Sequence, residues 1–257
     1  MKHPLLLLLL SLIVFNCKEH VKSVHHVLKI NGHLGQLEIK NSSDYTQAKD
    51  FVFGKYNYKD NRRFTKVKAI HASKVLFLDT VVYKAFIKMY NAAAEQGVTL
   101  KIISGTRNFN EQKAIWERKW EKYNTLRPME RAKKILEYSS MPTSSRHHWG
   151  TDLDLNSLSN SYFSSGKGQD IYNWLQTNAN AYGFYQVYTE KTNGRTGYNL
   201  EKWHWSYLPL AHEYLNFYNF NIAAKDINGF KGAELANELN IIEDYVNGIS
   251  KKAKDYK

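Results

Sequence analysis

The stretch SRHHWGTDLDLN (residues 145–156) ends in a strict alternation of polar and apolar residues. Leu153 and Leu155 fall on one side of an extended chain, and Asp152, Asp154 and Asn156 fall on the other. This period of two predicts a half-buried strand whose polar face is turned toward another part of the molecule.

The segment EKWHWSY (residues 201–207) has the same period. Trp203, Trp205 and Tyr207 alternate with His204 and Ser206, which predicts a second strand. Histidines occur in both segments, His147 and His148 in the first and His204 in the second, together with acids. Their joint appearance is the first indication of a shared site.

A third segment lies upstream, where residues 98–103 have the apolar character of a buried strand. The turn SGTR (residues 104–107) follows it directly. Asn108 and Glu111 then have the spacing of a capping box, which predicts a helix that begins here and continues through Trp120.

The remaining elements alternate irregularly between helix and strand. This order, with hairpin-like spacing late in the chain, predicts an α+β fold with a small, mainly antiparallel sheet flanked by helices. The other predicted elements are helices over 78–96, 128–138, 170–181 and 208–217, a strand over 184–188, and turns or loops at 139–146 and 193–194.

Length and charge limit what the chain can be. The 257 residues are 43% hydrophobic, which is enough for a folded core. The net charge of +12 would suit a nucleic acid, an anionic lipid or an anionic cell wall. Most of the lysines and arginines are interspersed with acids, however, as expected of a solvated surface.

The N-terminus has the pattern of an export signal, with Lys2 followed by an apolar run over residues 5–15. Cys17, the only cysteine, comes next and resembles the lipidated residue of a bacterial lipoprotein; ordinary secretion is the alternative. Export makes nucleic acid the least favoured partner. We therefore expect a signal peptide over 1–17, a linker and entry segment over 18–60, a catalytic domain over 61–220 and a helical extension over 221–257.

Two imidazoles and one carboxylate suit a catalytic zinc ion, which keeps a fourth position open for water. His147, Asp154 and His204 are the predicted ligands, with His148 as the alternative to His147. Glu201, three residues before His204, is the predicted general base. Arg107 is expected to bind the scissile carbonyl or a substrate carboxylate.

The spacing S-x-H-x-x-G-x-x-x-D in 145–154, together with E-x-W-H in 201–204, resembles the zinc signature of the LAS peptidases. SGTR followed by Gln112 resembles the corresponding segment of the VanY-like D,D- and L,D-carboxypeptidases. The resemblance covers about residues 60–220. It implies zinc on the three ligands above, catalysis by Glu201 and carbonyl polarisation by Arg107.

Two residues depart from the family pattern: Thr106 replaces a tyrosine, and Asp152 replaces a small apolar residue. Asp152 is expected either to support His147 or to contact the substrate, with a strand-edge acid as the alternative. The predicted substrate contacts are Ser104, Gln112, Ser145 and Asp152.

These inferences predict an exported zinc carboxypeptidase that removes terminal D-alanine from peptidoglycan stem peptides, anchored to a membrane by lipid on Cys17. An endopeptidase that cuts cross-bridges would use the same chemistry. The alternatives from other classes are a non-catalytic wall-binding lipoprotein of the same fold and a metal-dependent nuclease.

Overall fold

A computed structural model describes residues 42–256 of the chain. The predicted signal peptide, Cys17 and most of the predicted linker lie outside these residues. The strands are β1 (Phe64–Lys66), β2 (Phe77–Asp79), β3 (Ile102–Ser104), β4 (Asp152–Leu155), β5 (Phe184–Gln186) and β6 (His204–Tyr207). The α-helices are α1 (Ser42–Val52), α2 (Thr80–Glu95), α3 (Phe109–Lys122), α4 (Pro128–Leu136), α5 (Gly166–Asn178), α6 (Leu208–Asn221) and α7 (Lys251–Lys254).

A four-stranded sheet with the order β3-β4-β6-β5 forms the centre of the molecule, and every neighbouring pair in it is antiparallel. Strands β1 and β2 form a separate antiparallel pair. The predicted α+β class with a small antiparallel sheet is therefore confirmed.

Strand β4 is more deeply buried than the alternation predicted. Leu153 and Leu155 are fully buried in the core, as expected, but Asp152 and Asp154 on the other face are also buried. The half-buried interpretation was wrong because the polar face is covered by Arg146 and by the imidazole of His204. This face is therefore an interior polar site.

Several element boundaries differ from the predicted ones for local reasons. The predicted helix over 78–96 begins only at Thr80, because the Asp79 side chain accepts a hydrogen bond from the backbone N–H of Val81 and caps the helix. The chain then turns at Gly97, which has a φ of +74°. The strand predicted over 98–103 pairs only at Ile102–Ser104.

The C-terminal region packs against the domain in short turns. Single turns cover Ala224–Asp226, Ala233–Leu235 and Ile241–Val246, and only the short α7 is α-helical. Ile227, Leu239, Ile241 and Val246 of this region are buried, and the indole N–H of Trp116 donates a hydrogen bond to the Lys231 carbonyl. Among residues 42–256, no helix combines the length and the apolar composition needed to cross a bilayer.

The predicted capping box at the start of α3 is present. The Asn108 side chain accepts a hydrogen bond of 2.9 Å from the Glu111 backbone, and the Glu111 carboxylate accepts one of 2.9 Å from the Asn108 backbone. We expect Asn108→Ala to lower the free energy of unfolding by about 1 kcal/mol, because the backbone N–H of Glu111 loses its side-chain partner. Urea unfolding measures this change.

Asn173→Ala is the matched control, since Asn173 is solvent-exposed within α5 and far from any helix end. This control should leave the unfolding midpoint nearly unchanged. Equal midpoints for Asn108→Ala and the unsubstituted protein would show that the box does not stabilise α3.

Candidate metal centre

The register of the central sheet brings three of the predicted site residues side by side. Asp154 of β4 is paired with His204 of β6 and, on its other side, with Ser104 of β3. Directly opposed residues of antiparallel strands project from the same face, about 5 Å apart. The turn Arg146–Trp149 adds His147 to this face from just before β4.

His147, Asp154 and His204 form a compact cluster whose ligand atoms all lie within 4.8 Å of one another. Asp154 Oδ1 lies 3.6 Å from His147 Nε2 and 3.2 Å from His204 Nδ1. All three side chains are buried. The structure therefore brings together the three residues that the sequence predicted as metal ligands.

Hydrogen bonds set the tautomer of each imidazole. His147 Nδ1 lies 2.9 Å from the Gly105 carbonyl oxygen, which can only accept, so Nδ1 carries the proton and Nε2 presents its lone pair to the cluster. His204 Nε2 lies 2.8 Å from Asp152 Oδ2, so it donates there and Nδ1 faces the cluster. Ligand histidines commonly use their second ring nitrogen in this way.

This arrangement fits a divalent cation. Two nitrogen lone pairs converge on Asp154 Oδ1, a buried atom that has no hydrogen-bond partner among the described residues. Burial alone would lower the pKa of His204, but the surrounding carboxylates of Asp152, Asp154 and Glu201 raise it well above its usual value. A proton or a metal ion must therefore balance these carboxylates, and a metal ion would displace the proton.

Glu201 lies beside the cluster without completing it. Its Oε2 is 3.4 Å from His204 Nδ1, and its backbone carbonyl accepts a hydrogen bond from the His204 N–H. Burial raises the pKa of Glu201. A buried carboxyl with a raised pKa next to a metal cluster can both accept and return a proton.

Arg107 approaches the cluster from the end of β3. Its Nη1 lies 4.0 Å from Asp154 Oδ2, and its Nε donates a 3.0 Å hydrogen bond to Gln112. Ser104 accepts a hydrogen bond from the same guanidinium. The side-chain amide of Gln112 also donates a 2.8 Å hydrogen bond to the Ser140 carbonyl. Ser104 lines the cleft as predicted. Both polar groups of Gln112 have partners within the protein, since its Oε1 holds Arg107 and its Nε2 binds the Ser140 carbonyl.

Asp152 lies behind the cluster rather than in the cleft. It is fully buried, and its two oxygens accept hydrogen bonds from Thr151, Arg146, Ser206 and His204 at 2.7 to 3.0 Å. The prediction that it contacts substrate was wrong, because it has neither exposed surface nor a free oxygen. It supports an imidazole as expected, but that of His204 rather than that of His147.

His148 does not compete as a ligand. Its Nδ1 donates to the Arg107 carbonyl at 2.8 Å, and its Nε2 accepts from the Thr143 N–H at 3.2 Å. Burial lowers its pKa to about 3, so it stays neutral. Ser145 is buried and lies outside the lining of the cleft, so its predicted contact with substrate was wrong.

The cluster forms the floor of a cleft of about 710 Å³. Trp203 lines this cleft, whereas Trp149 and Trp205 are buried in the core.

The sequence did not identify Tyr188 as a site residue, although its ring centre lies 4.6 Å from that of His204. No feature of the neighbouring sequence distinguishes Tyr188 from the other tyrosines of the chain, which has 18 in all.

The model of the family described as VanY, D-alanyl-D-alanine carboxypeptidase, matches residues 76–210, just over half of the 257 residues. YodJ of Bacillus subtilis (strain 168) is 31% identical over 126 residues, which are 47% of this chain and 42% of that protein. A D-alanyl-D-alanine carboxypeptidase of Enterococcus faecium is 28% identical over 138 residues, which are 53% of this chain and 39% of that enzyme. The matches thus span about two fifths of the length of these curated relatives.

The solved structure of the LdcB LD-carboxypeptidase aligns with a TM-score of 0.50 at 22% identity, over 65% of this chain and 76% of that chain. This likeness concerns the fold. The family match itself includes every member of the metal cluster, Glu201 and Arg107. The chain therefore belongs to the VanY family of D-alanyl-D-alanine carboxypeptidases.

Proposed function

We propose that this protein is a zinc-dependent carboxypeptidase that releases the terminal D-alanine from peptidoglycan stem peptides. The observation that carries the proposal is the convergence of two imidazole lone pairs on Asp154, with Glu201 and Arg107 beside them on the floor of a cleft. Two nitrogens and one carboxylate oxygen are a donor set of catalytic zinc sites. Family membership supports the reaction class.

His147, Asp154 and His204 would hold the metal, which when bound supplies a water molecule acidified toward a pKa of about 7. Glu201 accepts a proton from the attacking water as its oxygen bonds to the carbonyl carbon of the penultimate residue. Glu201 then gives a proton to the leaving amine as the C–N bond breaks. The products are free D-alanine and a peptide shortened by one residue.

Arg107 has the position to stabilise the charge that develops on the scissile carbonyl oxygen. Gln112 and Ser104 fix its guanidinium, so little reorganisation is needed when that charge forms. Burial lowers the pKa of Arg107, but a guanidinium keeps its charge in proteins. Ser104, which also lines the cleft, is the remaining proposed substrate contact.

We further propose that the protein is exported to the cell envelope and anchored by lipid on Cys17. Support comes from the residue order of the N-terminus and from the location of the proposed substrate in the cell wall. Mass spectrometry of the mature protein from the membrane fraction should find lipid on Cys17, and Cys17→Ser should move the protein to the soluble fraction. A mature N-terminus elsewhere, without lipid, would refute the anchor.

The Glu201→Gln variant tests the proposed reaction. We expect it to keep one zinc ion per chain and to lose activity by about 10³-fold or more, because an amide cannot accept the proton. The assay measures D-alanine released from a synthetic pentapeptide ending in D-alanyl-D-alanine, together with zinc content by atomic absorption.

His204→Ala is the matched comparison, because it removes a ligand and should lose both zinc and activity. Full activity in Glu201→Gln would remove Glu201 from the reaction. Stoichiometric zinc in His204→Ala would reject the ligand assignment. Absence of D-alanine release by the zinc-loaded unsubstituted protein would reject the proposed function.

Asp152→Asn should weaken zinc binding by about 10- to 100-fold, because the carboxylate that orients His204 becomes a neutral amide. Competition with a chromophoric chelator measures this affinity. The single change leaves the Arg146 charge buried without its partner, so Arg146→Met combined with Asp152→Asn is measured as well.

Asp226→Asn is the control, since Asp226 pairs with Lys49 at 2.8 Å at a partly exposed position outside the cleft. It should leave zinc affinity unchanged. Unchanged affinity in both Asp152 variants would mean that the hydrogen bond to His204 does not tune the site.

A further inference from the structure

Helix α3 forms one wall of the cleft beyond the metal cluster. Gln112, Ile115 and Lys119 recur at positions i, i+3 and i+7, which lie on one face of an α-helix, and all three line the cleft. Arg118 lines it next to Lys119. The helix therefore extends from the residue that holds Arg107 to a pair of cations farther along the wall.

The charges that line the cleft are unbalanced. Four cations contribute to the lining, at Lys74, Arg107, Arg118 and Lys119, and the acids of the lining are Asp154 and Glu201. Asp154 belongs to the metal cluster, and Glu201 lies directly beside it. A divalent ion there would make the cleft still more positive, so an anionic substrate is favoured.

Lys119 is the cation of this wall that is best placed for a ligand. It is partly buried, and its ammonium donates to the Ser139 hydroxyl. Among residues 42–256, no carboxylate lies within 4.0 Å of it, whereas Lys113 on the same helix pairs with Glu117. An ammonium has three donors, so two remain available to a ligand in the cleft. Burial also lowers the pKa of Lys119, a cost that an anionic ligand would offset.

The spacing along α3 determines where on the substrate that anion would be. Lys119 follows Gln112, whose side chain holds Arg107, by seven positions along the helix, or about 10 Å at a rise of about 1.5 Å per residue. An extended peptide covers about 3.3 to 3.6 Å per residue. The terminal carboxylate of a carboxypeptidase substrate is only one residue from the scissile bond, so it is too close to account for this distance.

We propose that Lys119, assisted by Arg118, binds a side-chain carboxylate two or three residues to the N-terminal side of the scissile bond. The cleft would then select anionic stem peptides over neutral ones. This inference rests on the proposed function, since it takes the scissile bond to lie at the metal cluster.

Matched synthetic peptides test this selectivity on the zinc-loaded full chain. Acetyl-L-glutamyl-D-alanyl-D-alanine and its L-glutaminyl counterpart differ only in one carboxylate, two residues before the scissile bond. A second pair carries an additional L-alanine after the glutamyl or glutaminyl residue, which moves the carboxylate to the third position. For at least one pair, the unsubstituted protein should have a kcat/KM about tenfold higher for the acidic peptide, mainly through a lower KM.

Lys119→Met should reduce this ratio to about one, while Lys119→Arg should retain most of it because the charge remains. Lys113→Met, on the same helix but outside the lining of the cleft, should keep the full ratio. A structural role of the Lys119–Ser139 contact would instead affect both peptides of a pair equally.

Equal kcat/KM for acidic and neutral peptides in the unsubstituted protein would overturn the subsite, as would an undiminished ratio in Lys119→Met. Hydrolysis of none of the four peptides would overturn the proposed function itself, and the subsite with it. Cleavage without preference and absence of cleavage therefore distinguish the two failures.

Discussion

The pairing of β4 with β6 determines what this molecule can do. It places Asp154 directly opposite His204, and β3 adds Ser104 on the other side of Asp154. Because side chains alternate along a strand, a shift of one residue would turn Asp154 into the core and bring Leu153 into the site. The fully buried Leu153 and Leu155 make that shift costly. Packing on the apolar face thus fixes the geometry of the polar face.

Electrostatics impose a second condition on the same site. Asp152, Asp154 and Glu201 surround one imidazole in a buried environment, where like charges repel strongly. Arg146 balances Asp152 from behind, and Arg107 approaches Asp154 from the cleft. The space between Asp154 and the two imidazoles still requires positive charge. A divalent ion would meet that requirement and would leave Glu201 free for the proposed proton transfer.

Most of the correct predictions came from short-range patterns in the sequence. The alternation in 152–155 identified a strand, and the Asn108–Glu111 spacing identified a helix start. The motifs also predicted that His147, Asp154 and His204 lie together. Contacts between distant segments were beyond such patterns. The bond from Asp152 to His204 joins residues 52 positions apart, and it turned an expected substrate contact into a support for a ligand.

The same limit explains Ser145 and Lys119. Ser145 belongs to the motif, but burial by the surrounding loop removes it from the cleft. Lys119 is one of the 36 lysines and arginines of the chain, and only the fold shows that it faces the cleft near Ser139. The residues of the proposed metal site are thus recognisable from local spacing, whereas the residues proposed to orient them or to select substrates depend on tertiary packing.

X-ray diffraction from crystals of the zinc-loaded protein, recorded on both sides of the zinc absorption edge, examines the site itself. The account predicts one anomalous peak at about 2.0 to 2.2 Å from His147 Nε2, His204 Nδ1 and an Asp154 carboxylate oxygen. Bound zinc at any other position, with these three side chains uncoordinated, would contradict it.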